Sequence, residues 1–326
     1  MTTLMKRIMV TGAAGQIGTE LLKVLRNRHG RDNVLATDIQ IPPGSPSPDS
    51  GPFEICDVTQ KKNIEAVVAK HRIDTMYHMA AILSAAGEKN PHRAWDVNIN
   101  GTYNILETAR ESGILRVFIP SSIAAFGPET PRRGTPQETV LRPKTMYGVT
   151  KVAGELLCDY YARRFNLDVR GCRFPGIISH ETLPGGGTTD YAVAIFYEAV
   201  KNKRYTCFLR EDTRLPMMYM PDCLKSVMDL MAADFARLRH HADFNLAAMS
   251  FTPGELTAEI KKHIPEFVCD YQPDFRQAIA DSWPMSIDDS AARAEWGWAP
   301  EYDLAAMTRD MVEVLSRRHA AGRLNY

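Results

Sequence analysis

The sequence predicts an α/β protein built on a doubly wound parallel sheet, with a smaller C-terminal lobe. Three observations support this fold class. Short apolar runs alternate with amphipathic helical patterns over the first 175 residues, a glycine-rich turn follows the first run, and an acidic residue ends the second. Repeated strand–helix–strand units make strands parallel, and helices then cover both faces of the sheet.

Five apolar runs are predicted as strands, at residues 7–10, 33–37, 75–80, 116–122 and 168–174. Between most of them, apolar residues recur three and four positions apart, as in IGTELLKVLRNRH and KNIEAVVAKHR, which is the period of an amphipathic helix. The proline-rich stretch 41–52 predicts a surface loop inside this unit, because strand and helix patterns resume directly after it.

The alternation weakens after about residue 175, where helical patterns at 190–202 and 221–235 mix with isolated strand-like pieces. We therefore predict two parts. Residues 1–175 form the main sheet and its helices, and residues 176–326 form mainly a smaller lobe, from which the chain returns to the main sheet.

The composition excludes several classes of protein. The 326 residues include 39 Lys and Arg against 39 Asp and Glu, and 44% are hydrophobic, which argues against disorder and against a nucleic-acid partner. No apolar run approaches the roughly 18 residues of a membrane span, and the first strand begins too early to leave room for a signal peptide. Six scattered cysteines without a CxxC pair are typical of reduced, mostly buried thiols in an intracellular protein, and not of a zinc site.

A glycine-rich turn at residues 10–18, VTGAAGQIG, lies between a predicted strand and a predicted helix. The backbone N–H groups and the positive helix end at such a turn suit a pyrophosphate. We assign the tight turn to Gly12, the close approach of a ligand to Gly15, and helix-to-sheet packing to Gly18. The GxxGxxG spacing differs from the GxGxxG fingerprint, so an ordinary glycine turn stays an alternative.

Asp38 ends the second strand, 20 residues after Gly18. An acidic side chain at this distance accepts hydrogen bonds from the adenosine ribose of NAD and repels the 2′-phosphate of NADP, so residues 1–175 are predicted to be an NAD-binding, Rossmann-like domain. A helix cap or a turn is the alternative role. Asp57 and Val58 follow the third strand and are predicted to border the adenine, although a simple turn explains them nearly as well.

The sequence YGVTK places Tyr147 and Lys151 four residues apart, on one face of a predicted helix. An ammonium near a phenol favours the phenolate, a base able to take a proton from an alcohol. Tyr197 and Lys201 repeat this spacing, so position must separate the two pairs. Tyr147 lies 25 residues after Ser122, which is at the carboxyl end of the fifth strand, where ligands bind in such sheets. We therefore interpret the second pair as a surface feature.

Together with MAA at 79–81, NINGTYNILE at 98–107 and PSSIAAFG at 120–127, these motifs resemble the extended short-chain dehydrogenases/reductases over most of the chain. The resemblance implies that Ser122 polarises the substrate oxygen, that Tyr147 transfers its proton, and that Lys151 holds the nicotinamide ribose and lowers the pKa of Tyr147. Asn98 matches an asparagine that supports the site beneath the cofactor, although a hydrogen-bonding role within a helix is a simpler alternative. The predicted cofactor contacts are Gly12, Gly15, Gln16, Ile17, Gly18, Asp38, Asp57, Val58, Met79, Ala80, Ala81, Asn98, Tyr147, Lys151, Pro175 and Ile177.

Four further stretches, at 173–179, 183–193, 215–223 and 282–298, resemble one branch of that family, the short-chain-type L-threonine 3-dehydrogenases. Nucleotide-sugar enzymes of the family usually carry an asparagine after the sixth strand and a later RDYIHVDD-like segment instead. The resemblance implies that NAD oxidises L-threonine to 2-amino-3-oxobutanoate without a metal. It also implies substrate contacts from Ser84, Ser121, Ser122, Tyr147, Thr188, Thr189 and Trp283.

Several alternatives stay open for these substrate contacts and for the function. Ser84 is also explained as a loop serine, the threonine pair as a helix cap, and Trp283 as a core residue. A nucleotide-sugar epimerase or dehydratase would keep the same cofactor and the same three catalytic residues, whereas a non-enzymatic NAD sensor would typically lack Tyr147 and Lys151.

The resemblance carries expectations beyond the site itself. It implies a homodimer formed through the helices at 100–112 and 147–165. It also implies a location in the mitochondrial matrix for a eukaryotic protein and in the cytoplasm for a bacterial one. The three glycines at 185–187 suggest a mobile segment over the site.

Overall fold

The structure, a computed structural model, describes residues 5–40, 51–181 and 185–324. Most of the predicted loop at 41–52 therefore lies outside the described residues, as do Leu183 and Pro184 of the predicted substrate region. In the described residues the strands are β1 Ile8–Thr11, β2 Val34–Asp38, β3 Phe53–Ile55, β4 Thr75–His78, β5 Arg116–Phe118, β6 Ser121–Ser122, β7 Val169–Arg170, β8 Cys172–Phe174, β9 Gly176–Ile178, β10 Arg204–Cys207, β11 Leu215–Tyr219, β12 Phe244–Asn245, β13 Met249–Phe251 and β14 Val268–Tyr271.

The helices follow the predicted rhythm of one helix after most strands of the first part. In the described residues they are α1 Gln16–His29, α2 Lys61–His71, α3 Ser84–Lys89, α4 Pro91–Trp95, α5 Gly101–Glu111, α6 Met146–Phe165, α7 Tyr191–Asn202, α8 Met220–Ala232, α9 Pro253–Lys261, α10 Arg276–Asp281, α11 Ser290–Trp296 and α12 Leu304–Ala320. A π-helical turn, Asp96–Asn100, joins α4 to α5. None of the helices in the described part of the chain combines the length and the apolar character that crossing a bilayer requires.

The main sheet has six parallel strands in the order β3-β2-β1-β4-β5-β7. Strand β1 pairs with β2 on one side, Ile8 opposite Val34, and with β4 on the other, Ile8 opposite Thr75. The strand order therefore reverses between β1 and β4, and a ligand crevice is expected beyond the carboxyl ends of these two strands. The predicted α/β, Rossmann-like fold class is confirmed.

Two predicted strands are each divided in the structure. The run at 116–122 forms β5 and β6, and the run at 168–174 forms β7 and β8. Pro120 has no N–H to donate to a sheet, and Gly171 passes so close to Ile119 that a Cβ there would lie 2.0 Å from the Ile119 carbonyl oxygen. The second halves, β6 and β8, pair with each other in a separate parallel sheet of order β12-β8-β6, in which β8 also pairs with β12.

The C-terminal half adds smaller sheets and a second core. Strand β11 pairs with β9 in parallel and with β13 antiparallel, and β10 pairs with β14. Helices α7, α9 and α12 pack against one another beside these sheets. Strand β12 lies after residue 175 and pairs with β8, outside the six-stranded main sheet. The division at residue 175 and the return of the chain to the main sheet stay predictions.

The interpretation of Tyr197 and Lys201 as a surface pair is wrong for the tyrosine. Tyr197 is only 3% exposed, and its hydroxyl donates a 2.9 Å hydrogen bond to the His180 carbonyl oxygen. Helix α7 is apolar on most of its circumference, so Tyr197 joins its buried side while Lys201 one turn later is exposed. Of this pair, Tyr197 is therefore buried in the core and Lys201 is at the surface.

Helix α6 packs unusually closely against the chain before it, at Gly148. A Cβ on Gly148 would lie 2.2 Å from the Ala124 carbonyl oxygen and 2.5 Å from the Pro143 side chain. Gly154, two turns later on the same helix, has nothing within 4 Å of the same position. Close approach at Gly148 therefore requires glycine, whereas Gly154 does not.

We expect Gly148→Ala to lower the free energy of unfolding by about 2–3 kcal/mol, because the new methyl group must push two backbone segments apart. The matched control, Gly154→Ala, is expected to raise it by about 0.5–1 kcal/mol, because alanine is the better helix former. Urea denaturation of both variants measures the difference. A Gly148→Ala protein as stable as the wild type would contradict the close packing.

Candidate active site

The glycine turn after β1 brings the backbone of three segments together. Gly12 has φ +61°, and a Cβ on it would lie 2.5 Å from the Ala80 backbone nitrogen, so both the turn and the approach to the end of β4 require glycine. A Cβ on Gly18 would lie 2.2 Å from the Gly12 carbonyl oxygen, which packs the start of α1 against the turn. At Gly15, by contrast, a Cβ would have one neighbouring atom within 4 Å, the Gly12 carbonyl oxygen at 3.2 Å, and Gly15 lines two cavities, which leaves this backbone open to a ligand.

Asp38 joins the end of β2 to the glycine turn. One carboxylate oxygen accepts the Ala14 N–H at 3.0 Å, and the other accepts the Ile39 N–H at 2.8 Å. These bonds are those of a turn aspartate, yet the same carboxylate also borders a cavity. Asp57 makes a turn of its own, since one of its oxygens accepts both the backbone N–H and the hydroxyl of Thr59.

Two adjoining cavities of about 410 Å³ each open above the sheet, and they share residues of the glycine turn and of the segment after β4. Of the predicted residues, the β2-side cavity is lined by Gly12, Gly15, Asp38, Asp57, Val58, Met79, Ala80 and Ala81. The α6-side cavity is lined by Gly12, Gly15, Gln16, Ile17, Gly18, Met79, Ala81, Ser84, Ser121, Ser122, Tyr147, Lys151, Pro175, Ile177, Thr188, Thr189 and Trp283. A groove with an open backbone at its centre and a carboxylate at one end fits a dinucleotide.

Helix α6 presents Tyr147 and Lys151 to the α6-side cavity. The helix begins after Thr145, whose hydroxyl accepts the Gly148 N–H at 3.0 Å. The Lys151 ammonium nitrogen lies 5.4 Å from the centre of the Tyr147 ring and donates a 2.7 Å hydrogen bond to the Pro120 carbonyl oxygen. The helix therefore fixes both side chains relative to the segment that carries Ser122.

Burial controls the charges of these two side chains. It raises the pKa of Tyr147 to about 12, and the Ser122 side chain acts against this by hydrogen bonding. It lowers the pKa of Lys151 to about 8, against the attraction of the Glu155 carboxylate. On balance the pKa of Tyr147 is raised, because desolvation of the phenolate dominates, and the lowering of this pKa by Lys151 stays a prediction.

Asn98 lies in the π-helical turn and lines neither large cavity. Its side-chain oxygen accepts the Ile82 N–H at 2.8 Å, and its amide group donates to the Ile82 carbonyl at 3.0 Å and to the Thr150 hydroxyl at 3.1 Å. Asn98 thus ties the segment after β4 to helix α6. In the structure it acts on the site through these bonds and does not face the groove.

The predicted substrate residues meet at the far end of the α6-side cavity. The Ser84 and Thr188 hydroxyls are 3.0 Å apart, and Ser84 accepts the Thr188 N–H at 3.2 Å. Trp283 is 4% exposed and lines the same cavity beside Thr189. Simple loop, cap or core roles do not by themselves explain why these residues line one cavity.

The two serines of β6 do not act alike. Ser122 accepts the Ala124 N–H at 3.2 Å, which leaves its proton for the Tyr147 oxygen, whereas the Ser121 hydroxyl donates to the buried carboxylate of Glu155. Successive side chains of a strand point to opposite faces. The Ser121 proton is therefore directed to Glu155, although Ser121 also lines the α6-side cavity, and its substrate contact stays a prediction.

Sequence reasoning missed Asp190 and Glu155. Asp190 lines the α6-side cavity, and one of its carboxylate oxygens accepts the Gly186 and Gly187 N–H groups at 2.9 and 2.7 Å. The short GGGTTD stretch that ends in an acid was the available signal. Glu155 lies one turn beyond Lys151 on α6, but only the folded chain shows which side chains surround it. Among the described residues, no group of three or more His, Cys, Asp or Glu could hold a metal ion.

Residues 8–247 match the NAD dependent epimerase/dehydratase family. The chain belongs to this family. A Staphylococcus haemolyticus relative, named an uncharacterized epimerase/dehydratase, is 53% identical over 96% of this chain and 99% of its own length. The protein is therefore an enzyme of the NAD-dependent epimerase/dehydratase superfamily, for which a nicotinamide cofactor is implied.

Solved structures within the family resemble this chain closely. An L-threonine dehydrogenase from Clostridium difficile is 53% identical, with a TM-score of 0.94 over 96% of this chain and 98% of that one. A protein from a metagenome, named a monomeric L-threonine 3-dehydrogenase, is 48% identical, with a TM-score of 0.92 over 95% and 99%. The predicted resemblance to L-threonine 3-dehydrogenases is confirmed.

Proposed function

We propose that this enzyme is an NAD-dependent L-threonine 3-dehydrogenase, which converts L-threonine and NAD⁺ to 2-amino-3-oxobutanoate, NADH and a proton. The observation that carries the proposal is the charge inventory of the α6-side cavity. Among the described residues that line it, Lys151 is the only Lys, Arg or His side chain and Asp190 is the only Asp or Glu. A small zwitterion suits such a cavity, whereas the diphosphate of a nucleotide sugar requires several basic or N–H donors.

NAD is the cofactor that the β2-side cavity favours. The open backbone at Gly15 is placed to receive the pyrophosphate, and the Asp38 carboxylate is placed to accept bonds from the adenosine ribose. A 2′-phosphate would meet that same negative charge. When bound, the nicotinamide ring supplies the acceptor for the hydride that leaves Cβ of the substrate.

Tyr147 takes the proton of the β-hydroxyl group in this reaction. Burial raises its pKa to about 12, so the phenolate needs stabilising neighbours. Ser122 supplies a hydroxyl proton, because its oxygen already accepts the Ala124 N–H and its proton is left for the Tyr147 oxygen. The Lys151 ammonium, 5.4 Å from the phenol ring, supplies positive charge. The proton then passes to solvent and the carbonyl forms at Cβ.

The α-substituents of the substrate are held at the other end of the cavity. The Ser84, Thr188 and Thr189 hydroxyls are donors for the carboxylate, and Trp283 forms an apolar wall. The Asp190 carboxylate is the partner of opposite charge for the α-ammonium group. A nucleotide-sugar epimerase or dehydratase is the alternative function, since it would use the same cofactor and catalytic residues.

We also propose a homodimer formed through α5 and α6. Val149, Leu156 and Tyr160 lie seven and four residues apart on one face of α6, and Leu156 and Tyr160 are 67% and 53% exposed. Tyr103 of α5, 47% exposed, lies beside Tyr161, the residue that follows Tyr160 on α6. Four large apolar side chains on one surface suit a self-complementary interface between two copies.

The proposal is tested by the absorbance of NADH when the purified protein receives NAD and L-threonine. We expect a rise with L-threonine and little with L-serine, D-threonine, L-allo-threonine or NADP. Tyr147→Phe should lower turnover by about 10² to 10⁴ because the proton acceptor is lost, whereas Tyr197→Phe, at the buried tyrosine of α7, should not. No rise from folded, NAD-bound wild-type protein, together with a co-purified UDP-sugar, would favour the alternative function.

For the cofactor, we expect Asp38→Asn to lower the preference for NAD over NADP about 10-fold, because one repulsive charge disappears while the shape is kept. The ratio of kcat/KM values with the two cofactors measures this. Asp57→Asn is the matched control, since Asp57 lines the same cavity but is bonded to Thr59. An unchanged preference in Asp38→Asn would place the ribose contact elsewhere.

For the dimer, light scattering of the wild type should give twice the 36.5 kDa of one chain. Leu156→Glu should give 36.5 kDa, because two carboxylates would be buried at the centre of the interface. Val268→Glu, at an exposed valine on β14, is the control and should stay dimeric. A wild-type particle of one chain would make this protein a monomer.

A further inference from the structure

The segment between β5 and the end of β6 is held by two side chains of α6 that lie one turn apart. The Lys151 ammonium donates to the Pro120 carbonyl oxygen at 2.7 Å, and the next residue, Ser121, donates its hydroxyl proton to Glu155. The catalytic Ser122 follows immediately. Two consecutive residues before this serine are therefore fixed by the helix that carries Tyr147.

Glu155 is itself held rigidly. The Arg173 guanidinium donates two parallel bonds to its two carboxylate oxygens, at 2.9 and 2.8 Å, and both side chains are about 95% buried. Arg173 pairs with Ser121 across β8 and β6, and with Asn245 across β8 and β12. It also donates to the Asn245 side chain at 3.2 Å. Hydrogen bonds thus connect the Glu155 carboxylate of α6 to β6 and β8 directly and to β12 through Arg173.

The arrangement reaches the segment that carries Trp283. The Asn245 amide group donates to the carbonyl oxygens of Thr135 and Asp288 at 3.3 and 3.2 Å. Asp288 lies five residues after Trp283 in the chain. The carboxylate is therefore linked through hydrogen bonds both to the catalytic serine segment and to Asp288, in the segment that follows Trp283.

Glu155 also faces Lys151. A cavity of about 20 Å³, large enough for one water molecule, lies between them, and Ser121 and Asn98 line it. The titratable groups around Lys151 are His78 of β4, which burial keeps neutral by lowering its pKa to about 3, and Tyr147, Glu155 and Cys158 of α6. Glu155 in turn faces Arg173 and, at longer range, Asp243.

The charge of Glu155 is maintained by its partner. Burial raises the pKa of this carboxyl group, and the bonds and charge of Arg173 act against that rise. Of the groups around Lys151, this carboxylate raises the pKa of Lys151 most. Burial acts in the opposite direction and is the larger effect, so the pKa of Lys151 is lowered to about 8. Removal of the negative charge should therefore let the Lys151 ammonium lose its proton at a lower pH.

We propose that Glu155 is a positioning residue of this enzyme: its carboxylate fixes the Ser121–Ser122 segment and places a negative charge opposite the Lys151 ammonium. The proposal rests on the proposed dehydrogenase function for its kinetic consequence, and on the structure alone for its effect on Lys151. Glu155 lines neither the α6-side nor the β2-side cavity, so it acts through Ser121 and Lys151.

The first test is an NMR titration of protein labelled with ¹³C at lysine Cε, with the Lys151 signal assigned from Lys151→Met. In Glu155→Gln we expect its titration midpoint to fall by about one pH unit. In Ser121→Ala, which keeps the charge, the midpoint should stay within about 0.3 units. This measurement needs neither substrate nor NAD, so it stands even where the wild type forms no NADH from L-threonine. An unchanged midpoint in folded Glu155→Gln overturns the charge role.

The second test is kinetic. Glu155→Gln and Ser121→Ala should each lower kcat for NADH formation, by about 10- to 100-fold for Glu155→Gln, because the catalytic serine is displaced. If Glu155 acts through Ser121, the double variant should be little worse than Glu155→Gln alone. Additive losses, or unchanged kcat, overturn the positioning role.

The matched control is Asp168→Asn, at a largely buried carboxylate bonded to Arg116 and Arg170 at 2.6 to 2.9 Å. Asp168 lies just before β7, at the amino end of this strand, whereas the site lies at the carboxyl ends of the sheet strands. The substitution removes a comparable buried ion pair far from the site. We expect it to lower thermal stability while leaving kcat and the Lys151 midpoint unchanged. Equal kinetic losses in Asp168→Asn would reduce the effect of Glu155 to general destabilisation and overturn the proposal.

Discussion

The packing of the first turns of α6 against the chain that follows β5 is the constraint on which the rest of the site depends. Gly148 lets the helix approach the Ala124 carbonyl oxygen, and Thr145 caps the helix start. With the helix start fixed, a spacing of four residues is enough to direct both Tyr147 and Lys151 into one cavity. A looser contact here would displace Tyr147 and Lys151 before it unfolded the protein.

The parallel topology supplies the other half of the site. The strand order reverses between β1 and β4, so the glycine turn after one strand faces the segment after the other. The two backbones approach so closely that Gly12 has no room for a side chain beside Ala80. The same close contact that excludes a side chain forms the floor of the groove, while Gly15 is left open above it.

The sequence predicted those features of the site that depend on residues close together in the chain. The glycine turn, the acid that ends β2 and the Tyr147–Lys151 spacing each depend on one strand–helix unit, and the structure places all of them on the groove. The misjudged features depend on distant segments. Burial of Tyr197 requires the second core, and the partner of Ser121 is an acid on another element.

Within this family a shared set of catalytic residues leaves the choice of substrate to the walls of the cavity. Hydride and proton transfer require only the tyrosine, the lysine, the serine and the cofactor, so these groups do not distinguish an amino acid from a nucleotide sugar. Charge does. A cavity with one base, already committed to the Pro120 carbonyl oxygen, and one acid, Asp190, disfavours a diphosphate and suits a zwitterion. Under the proposed function, substrate selection is therefore an electrostatic property of the cavity walls, and the reaction itself depends on groups that the parallel sheet and α6 hold in place.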